Sequence, residues 1–181
     1  LCEAAGAASW AALEKSLLWQ ACLLAQNAGL PSQRIERCLA RVLAIDPLAR
    51  DALELADRLH TQAGRLEDLV EVLERMLKLD LTATERRRVL ARLAELHETR
   101  RNPDQAAAAM EEAASLAPDD VALLRSLASL RRQQGDAAGQ ADALLRLAGV
   151  VEDPSERAEL LLAAASIQEH EVGDLHAARA S

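Results

Sequence analysis

Leucine and alanine return at three- and four-residue steps along most of the chain, and short breaks carrying Gly, Pro, Asp or Asn separate the runs. That period lines side chains along one face of an α-helix, so each run predicts a helix and each break a turn. Residues 1–8 are weakly patterned; from Ser9, read as an N-cap, WAALEKSLLWQACLLAQN predicts one long helix ending at Gly29, a residue type suited to a left-handed C-cap. A second helix over roughly 32–45 opens at Pro31-Ser32 and carries Ile35, Leu39 and Val42. Asp46 as cap and Pro47 as first helical residue then predict a third, through Leu53, Ala56, Leu59 and His60 to Gly64. The fourth spans Leu66 to Leu79, with Leu69, Leu73 and Met76 inward.

The same grammar continues. Thr82-x-x-Glu85 reads as a capping box before a helix with Leu90, Leu93, Ala94 and His97 on one face. Asn102-Pro103-Asp104-Gln105, with a cap, a first-position proline and a glutamine three residues on, stops it and starts the Ala106, Met110, Ala113 helix. Pro118-Asp119 resets the pattern for Leu124, Leu127 and Ala128 up to Gly135, followed by Ala141, Leu145 and Ala148. Asp153-Pro154-Ser155-Glu156 opens a helix to about Glu171, and Gly173-Asp174 predicts a further turn. The reading is four helical hairpins, 9–46, 47–81, 82–117 and 118–152, with an incomplete fifth over 153–181.

Steps between the turns at Gly29, Gly64, Arg101, Gly135 and Gly173 are 35, 37, 34 and 38 residues. This period, with Leu90, Leu93, Ala94 and His97 followed by Ala106, Met110 and Pro118, resembles the tetratricopeptide repeat (TPR). Leucine, histidine and methionine stand where that family has aromatics. The resemblance implies an all-α fold, a right-handed α-α superhelix (solenoid) of TPR-like hairpins over 1–181, and a chain that continues in a longer protein. Burying one leucine contributes about 1.5–3 kcal/mol against about 0–1 for a surface ion pair, so the leucine and alanine pattern decides the fold.

Composition sharpens this. The chain has no Phe, no Tyr and two Trp, and half of its residues are apolar, chiefly helix-favouring Leu and Ala. With 29 acidic against 21 basic residues the net charge of −8 repels phosphate backbones and argues against nucleic acid as partner. No apolar run approaches the roughly 20 residues that span a bilayer, so membrane insertion is not expected. Cys2, Cys22 and Cys38 lack a CxxC and fit reduced thiols in a cytoplasmic protein, although a Cys22–Cys38 disulfide between neighbouring helices is geometrically conceivable.

Catalytic patterns are missing. His97-Glu98 and His170-Glu171 each begin an HExxH sequence, but Arg101 and Asp174 occupy the closing positions. No phosphate-binding loop, nucleophile elbow or paired carboxylates appear, so no enzyme activity, cofactor or metal is expected. The informative surface is the first helix of each hairpin, which a stacked array turns toward its concave side. In register, Trp19, Glu54, Ala91, Arg125 and Leu162 form one row; Leu23, Arg58, Glu95, Ser129 and Ser166 a second; Asn27, Gln62, Thr99, Gln133 and His170 a third. Such a groove suits an extended peptide or a helix with one apolar anchor, with Trp19 as hot spot or, equally, as packing within its own hairpin. Arg86, Arg87, Arg88 and Arg92 form a basic patch that would suit an acidic partner, or a solvated face neutralised by Glu85 and Glu95. The expected function is therefore a protein-interaction scaffold. The alternative is a regulatory segment of a larger enzyme or transcription regulator, and self-association through the solenoid ends is a third expectation.

Overall fold

Four of the predicted breaks are helix ends of one geometry. Gly29, Gly64 and Gly135 have φ of 64°, 66° and 74°, and Arg101 adopts the same left-handed conformation at φ 58°. At each of them two backbone bonds close the turn: Gly29 N–H to Gln26 O and Leu30 N–H to Ala25 O, then Gly64 to Thr61 and Arg65 to His60, Arg101 to Glu98 and Asn102 to His97, Gly135 to Arg132 and Asp136 to Arg131. This is the Schellman pattern, which satisfies carbonyls that a helix end would otherwise leave open.

The structure, a computed structural model, describes the backbone of residues 2–180 and the side chains of residues 10–170. Among the described residues it contains nine helices and no strand: α1 (Cys2–Asn27), α2 (Ser32–Ile45), α3 (Arg50–Ala63), α4 (Leu66–Met76), α5 (Ala83–Thr99), α6 (Pro103–Leu116), α7 (Val121–Gln134), α8 (Ala137–Val150) and α9 (Pro154–Ala180). The chain divides into two units, Leu1–Asp80 and Leu81–Ser181. In the first, α1 pairs with α2 and α3 with α4, and α2 also lies against α3. In the second, α5 to α9 each pack on the next. The fold is all-α, built of TPR-like hairpins.

Several ends depart from the sequence reading. α1 begins at Cys2, not after Ser9, because Ala4, Ala5, Ala7 and Ala8 have the highest helix propensity and carry the helix upstream. Asp46 does not cap α3. Its carboxylate accepts from Leu48 N–H (3.1 Å) and Lys15 Nζ (3.0 Å), an Asx turn that delays the helix to Arg50. Asn102 makes no side-chain cap bond. Its backbone N–H is already spent on His97 O at 2.8 Å, so the reciprocal half of a capping box with Gln105 has no donor to take. The turn expected at Gly173-Asp174 is absent, since α9 runs through both positions to Ala180. A lone glycine inside a helix costs about 1 kcal/mol, which ends a helix only where a left-handed cap or a proline stands beside it. Thr82 and Glu85 do form the predicted capping box.

The core of the first unit gathers Cys22 and Ala25 of α1, Ile35, Leu39 and Val42 of α2, Ala52, Leu53, Leu55 and Ala56 of α3, and Val72 of α4. In the second unit α6 turns six buried residues inward, five of them alanine: Ala106, Ala107, Ala109, Ala113 and Ala114, with Met110. Alanine lets helices approach closely, and the leucines fill the spaces between pairs.

Candidate functional site: the first-helix surfaces

Packing consumes one side of each first helix and leaves another side exposed. On the first unit, Leu23 and Asn27 of α1 and Glu54, Arg58 and Gln62 of α3 are all exposed. Trp19 is half-buried, with part of its ring against the core cluster. Its remaining surface walls a cavity of about 450 Å³ shared with Lys15, Ser16, Asp46, Leu48, Arg50 and Asp51. Trp19 therefore packs within its hairpin, one of the two readings that the sequence left open, and its remaining surface borders a hollow.

On the second unit Glu95, Thr99, Arg125 and Gln133 are exposed, Ala91 and Ser129 half-buried, and Leu162 of α9 is 72% exposed. Three of these residues are already engaged. Arg125 forms an ion pair with Glu156, Gln133 Nε2 donates to Glu98 Oε1 at 2.9 Å, and the Thr99 hydroxyl donates to Glu95 O at 2.9 Å. Gln133 also lines a small cavity of about 220 Å³ with Glu98, Arg101 and Pro103.

The basic patch is partly structural. Arg86 Nη2 lies 2.8 Å from Glu112 of α6, and Arg87 Nη1 lies 2.9 Å from Asp120. Glu85, expected to neutralise the face, serves the Thr82 cap through one carboxylate oxygen. Arg88 is exposed and Arg92 half-buried.

Arg87 belongs to a set that the sequence reading missed. Lys15, Arg50 and Arg87 are equivalent, each fourteen residues before the turn residue Gly29, Gly64 or Arg101. Each reaches to the boundary of the following hairpin: Lys15 Nζ to Asp46 Oδ2 (3.0 Å), Arg50 to Asp80 O (2.8 Å) and Arg87 to Asp120 (2.9 Å). The spacing was visible as a basic residue at a fixed offset from the first three turns, with Val121 at that offset from Gly135, but the partners at the loops do not align in sequence. Asp46 shows the electrostatic consequence. Its hydrogen bond from Lys15 lowers its pKa from the ordinary 3.8.

Cys22 is fully buried, its thiol 3.8 Å from Ile35 O, and both it and Cys38 are free. Burial, with the neighbouring Cys38, pushes the Cys22 thiol up to about 11, so it stays protonated and unreactive. Among the described residues no three His, Cys, Asp or Glu side chains converge as a metal site. Asp174, half of the His170 pair considered above, lies outside the residues whose side chains are described. No helix among the described residues is long and apolar enough to cross a membrane.

Paired helices, Schellman turns and a repeat near 35 residues define a divergent chain with the TPR fold, the architecture of helical-repeat interaction proteins. No protein-family model and no curated protein matches the sequence. Solved structures do. The MamA protein aligns with a TM-score of 0.52 at 14% identity over 88% of this chain and 94% of that one. A MamA RS-1 double mutant aligns at 0.50 and 18% identity, over 75% and 74% of the two chains. YrrB, described as a TPR protein with an unusual peptide-binding site, aligns at 0.47 and 18% identity over 87% and 88%. At such identities the likeness is one of fold.

Proposed function

We propose that the protein is a non-enzymatic scaffold whose first-helix surface holds an extended peptide or a helix from a protein partner. The observation that carries this reading is the Trp19 cavity. A rigid aromatic wall, anchored on its other side in the core, borders a hollow lined by Arg50 and Asp51 at the start of α3, and farther along the same helix Glu54 and Arg58 are left exposed by the fold. An apolar partner residue entering the hollow would gain most from the tryptophan, and polar groups of both signs along α3 would set its orientation. Mixed charge on this surface favours a peptide over a polyanion.

The test is selection of binding peptides from a display library on the whole chain, followed by titration against Trp19→Ala and Arg58→Glu. Affinity should fall at least tenfold in one or both variants while helicity by circular dichroism is retained. Arg58 is exposed, so its reversal leaves the fold intact even where Trp19→Ala loosens the core. Peptides that bind both variants as tightly as the parent would refute the groove.

A further inference from the structure

The charges around the Trp19 hollow are not evenly matched. All of its lining residues fall between Lys15 and Ala52, so it belongs to the first unit, bounded by α1, the end of α2 and the start of α3. Both cations on its wall are engaged, Lys15 with Asp46 at 3.0 Å and Arg50 with Asp80 O at 2.8 Å. Asp51 is exposed in the first turn of α3, and among the described residues its carboxylate has no hydrogen-bond or ion-pair partner. The hollow thus sets an indole and the apolar side chains of Val42 and Leu48 beside one carboxylate that no cation neutralises.

The second unit shows what stands at the corresponding place. Trp19 and Arg125 are equivalent, each ten residues before the turn glycine that ends its helix, Gly29 or Gly135. Arg125 reaches from α7 to the first turn of the next first helix, α9, and pairs there with Glu156. The first turn of α3 likewise carries an acid, Asp51, but the equivalent residue of α1 is an uncharged indole. A pair that the second unit completes from its own residues is therefore half-built in the first, with the carboxylate present and the cation missing. We infer that the partner supplies that cation as an arginine, its stem packed on Trp19 and Leu48 and its guanidinium between the indole face and the Asp51 carboxylate. Given the peptide groove proposed above, the entering side chain is then apolar along its stem and cationic at its tip.

Arginine suits this wall better than other residues do. Its planar guanidinium stacks on an aromatic face while its N–H groups donate to a carboxylate, whereas the lysine ammonium is compact, more strongly hydrated and has no plane to stack. An acidic side chain would meet both the Asp51 charge and the negative face of the ring. A wholly apolar one would cover the ring and leave the carboxylate partly desolvated with nothing to pair it. The neighbouring arginines of the chain do not serve. Arg50 is held at Asp80, and Arg58 lies seven residues on from Asp51, about 10 Å along α3, with Glu54 between them.

Fluorescein-labelled Gly-Ser heptapeptides with arginine, citrulline or leucine at the centre serve as probes and are titrated against the intact chain by fluorescence anisotropy. Citrulline keeps the shape of arginine without its charge. The arginine peptide should bind saturably and about tenfold more tightly than the other two, the margin of one charge-assisted hydrogen bond. Asp51→Asn should cut that margin to about twofold or less, with helicity by circular dichroism retained, because the Asp51 side chain holds no contact of the fold. Equal binding of the arginine and citrulline peptides, or an arginine margin that survives Asp51→Asn, would overturn the assignment. Should the leucine peptide then still bind and weaken in Trp19→Ala, the groove itself would stand. Binding by none of the three would also overturn the assignment, leaving the groove to the library selection. So would a dimer in sedimentation equilibrium that Asp51→Asn abolished, because a second copy would then supply the cation.

Discussion

Replacing Ala106 with leucine tests whether the alanines of α6 set the distance between helices. Ala106 is 0% exposed, in a row with Ala107, Ala113 and Ala114, each also 0%, and its helix packs on α5, where Val89, Leu90, Leu93 and Ala94 are buried. Three added carbons would gain about 0.8 kcal/mol each if the site could receive them without cost. A close-packed interface has no such room, so side chains leave their rotamers or the helices separate, and the net expectation is a loss of about 1–3 kcal/mol. The control is Ala108→Leu, two positions on and exposed. Leucine and alanine are both strong helix formers, so propensity changes little and the control should stay within about 0.5 kcal/mol of the parent. Urea denaturation followed by circular dichroism measures both. Equal midpoints for the two variants would mean that α6 does not meet its neighbours through Ala106, and the packing argument would fail.

The Asp120 side chain accepts from the backbone N–H of Ala122 and Leu123, whereas Asn102 makes no cap bond, so Asp120→Ala should cost about 0.5–2 kcal/mol and Asn102→Ala much less in the same assay. Because the Asp46 pKa is lowered in the fold, the Lys15 contact contributes stability above the unfolded carboxyl pKa of 3.8 and loses it as pH falls through the depressed folded value. Both side chains are more than a third exposed, so the effect is about 0–1 kcal/mol, and Lys15→Met should flatten that part of the pH–stability curve. Arg101 holds the left-handed turn position that Gly29, Gly64 and Gly135 fill elsewhere, and Arg101→Gly should raise the thermal midpoint slightly by removing strain of about 1–2 kcal/mol, offset in part by the greater freedom of glycine when unfolded. A lower midpoint would show that the arginine side chain contributes more than its backbone costs.

What the sequence determined by itself is the part of the fold that depends on neighbours within a few positions. The leucine and alanine period set the helix faces, and Leu53, Leu73, Leu90, Leu124 and Ala106 are buried as that period requires. Gly29, Gly64 and Gly135 marked turns because only glycine takes a left-handed conformation without cost, and the break at Arg101 was marked by the Asn102-Pro103-Asp104-Gln105 run that follows it. Tertiary structure decided whatever needed a distant partner. Asp46 looked like a cap and became a loop anchor for Lys15; Arg86 and Arg87 looked like an acidic-partner patch or a face neutralised by Glu85 and Glu95, and are paired with Glu112 and Asp120. Trp19 and Leu17 stand two positions apart on one helix with nothing local to distinguish them. One rests against the core and the other faces outward, because burial is fixed by which helix arrives to cover a face, and a single sequence period records that a face is apolar without recording what covers it.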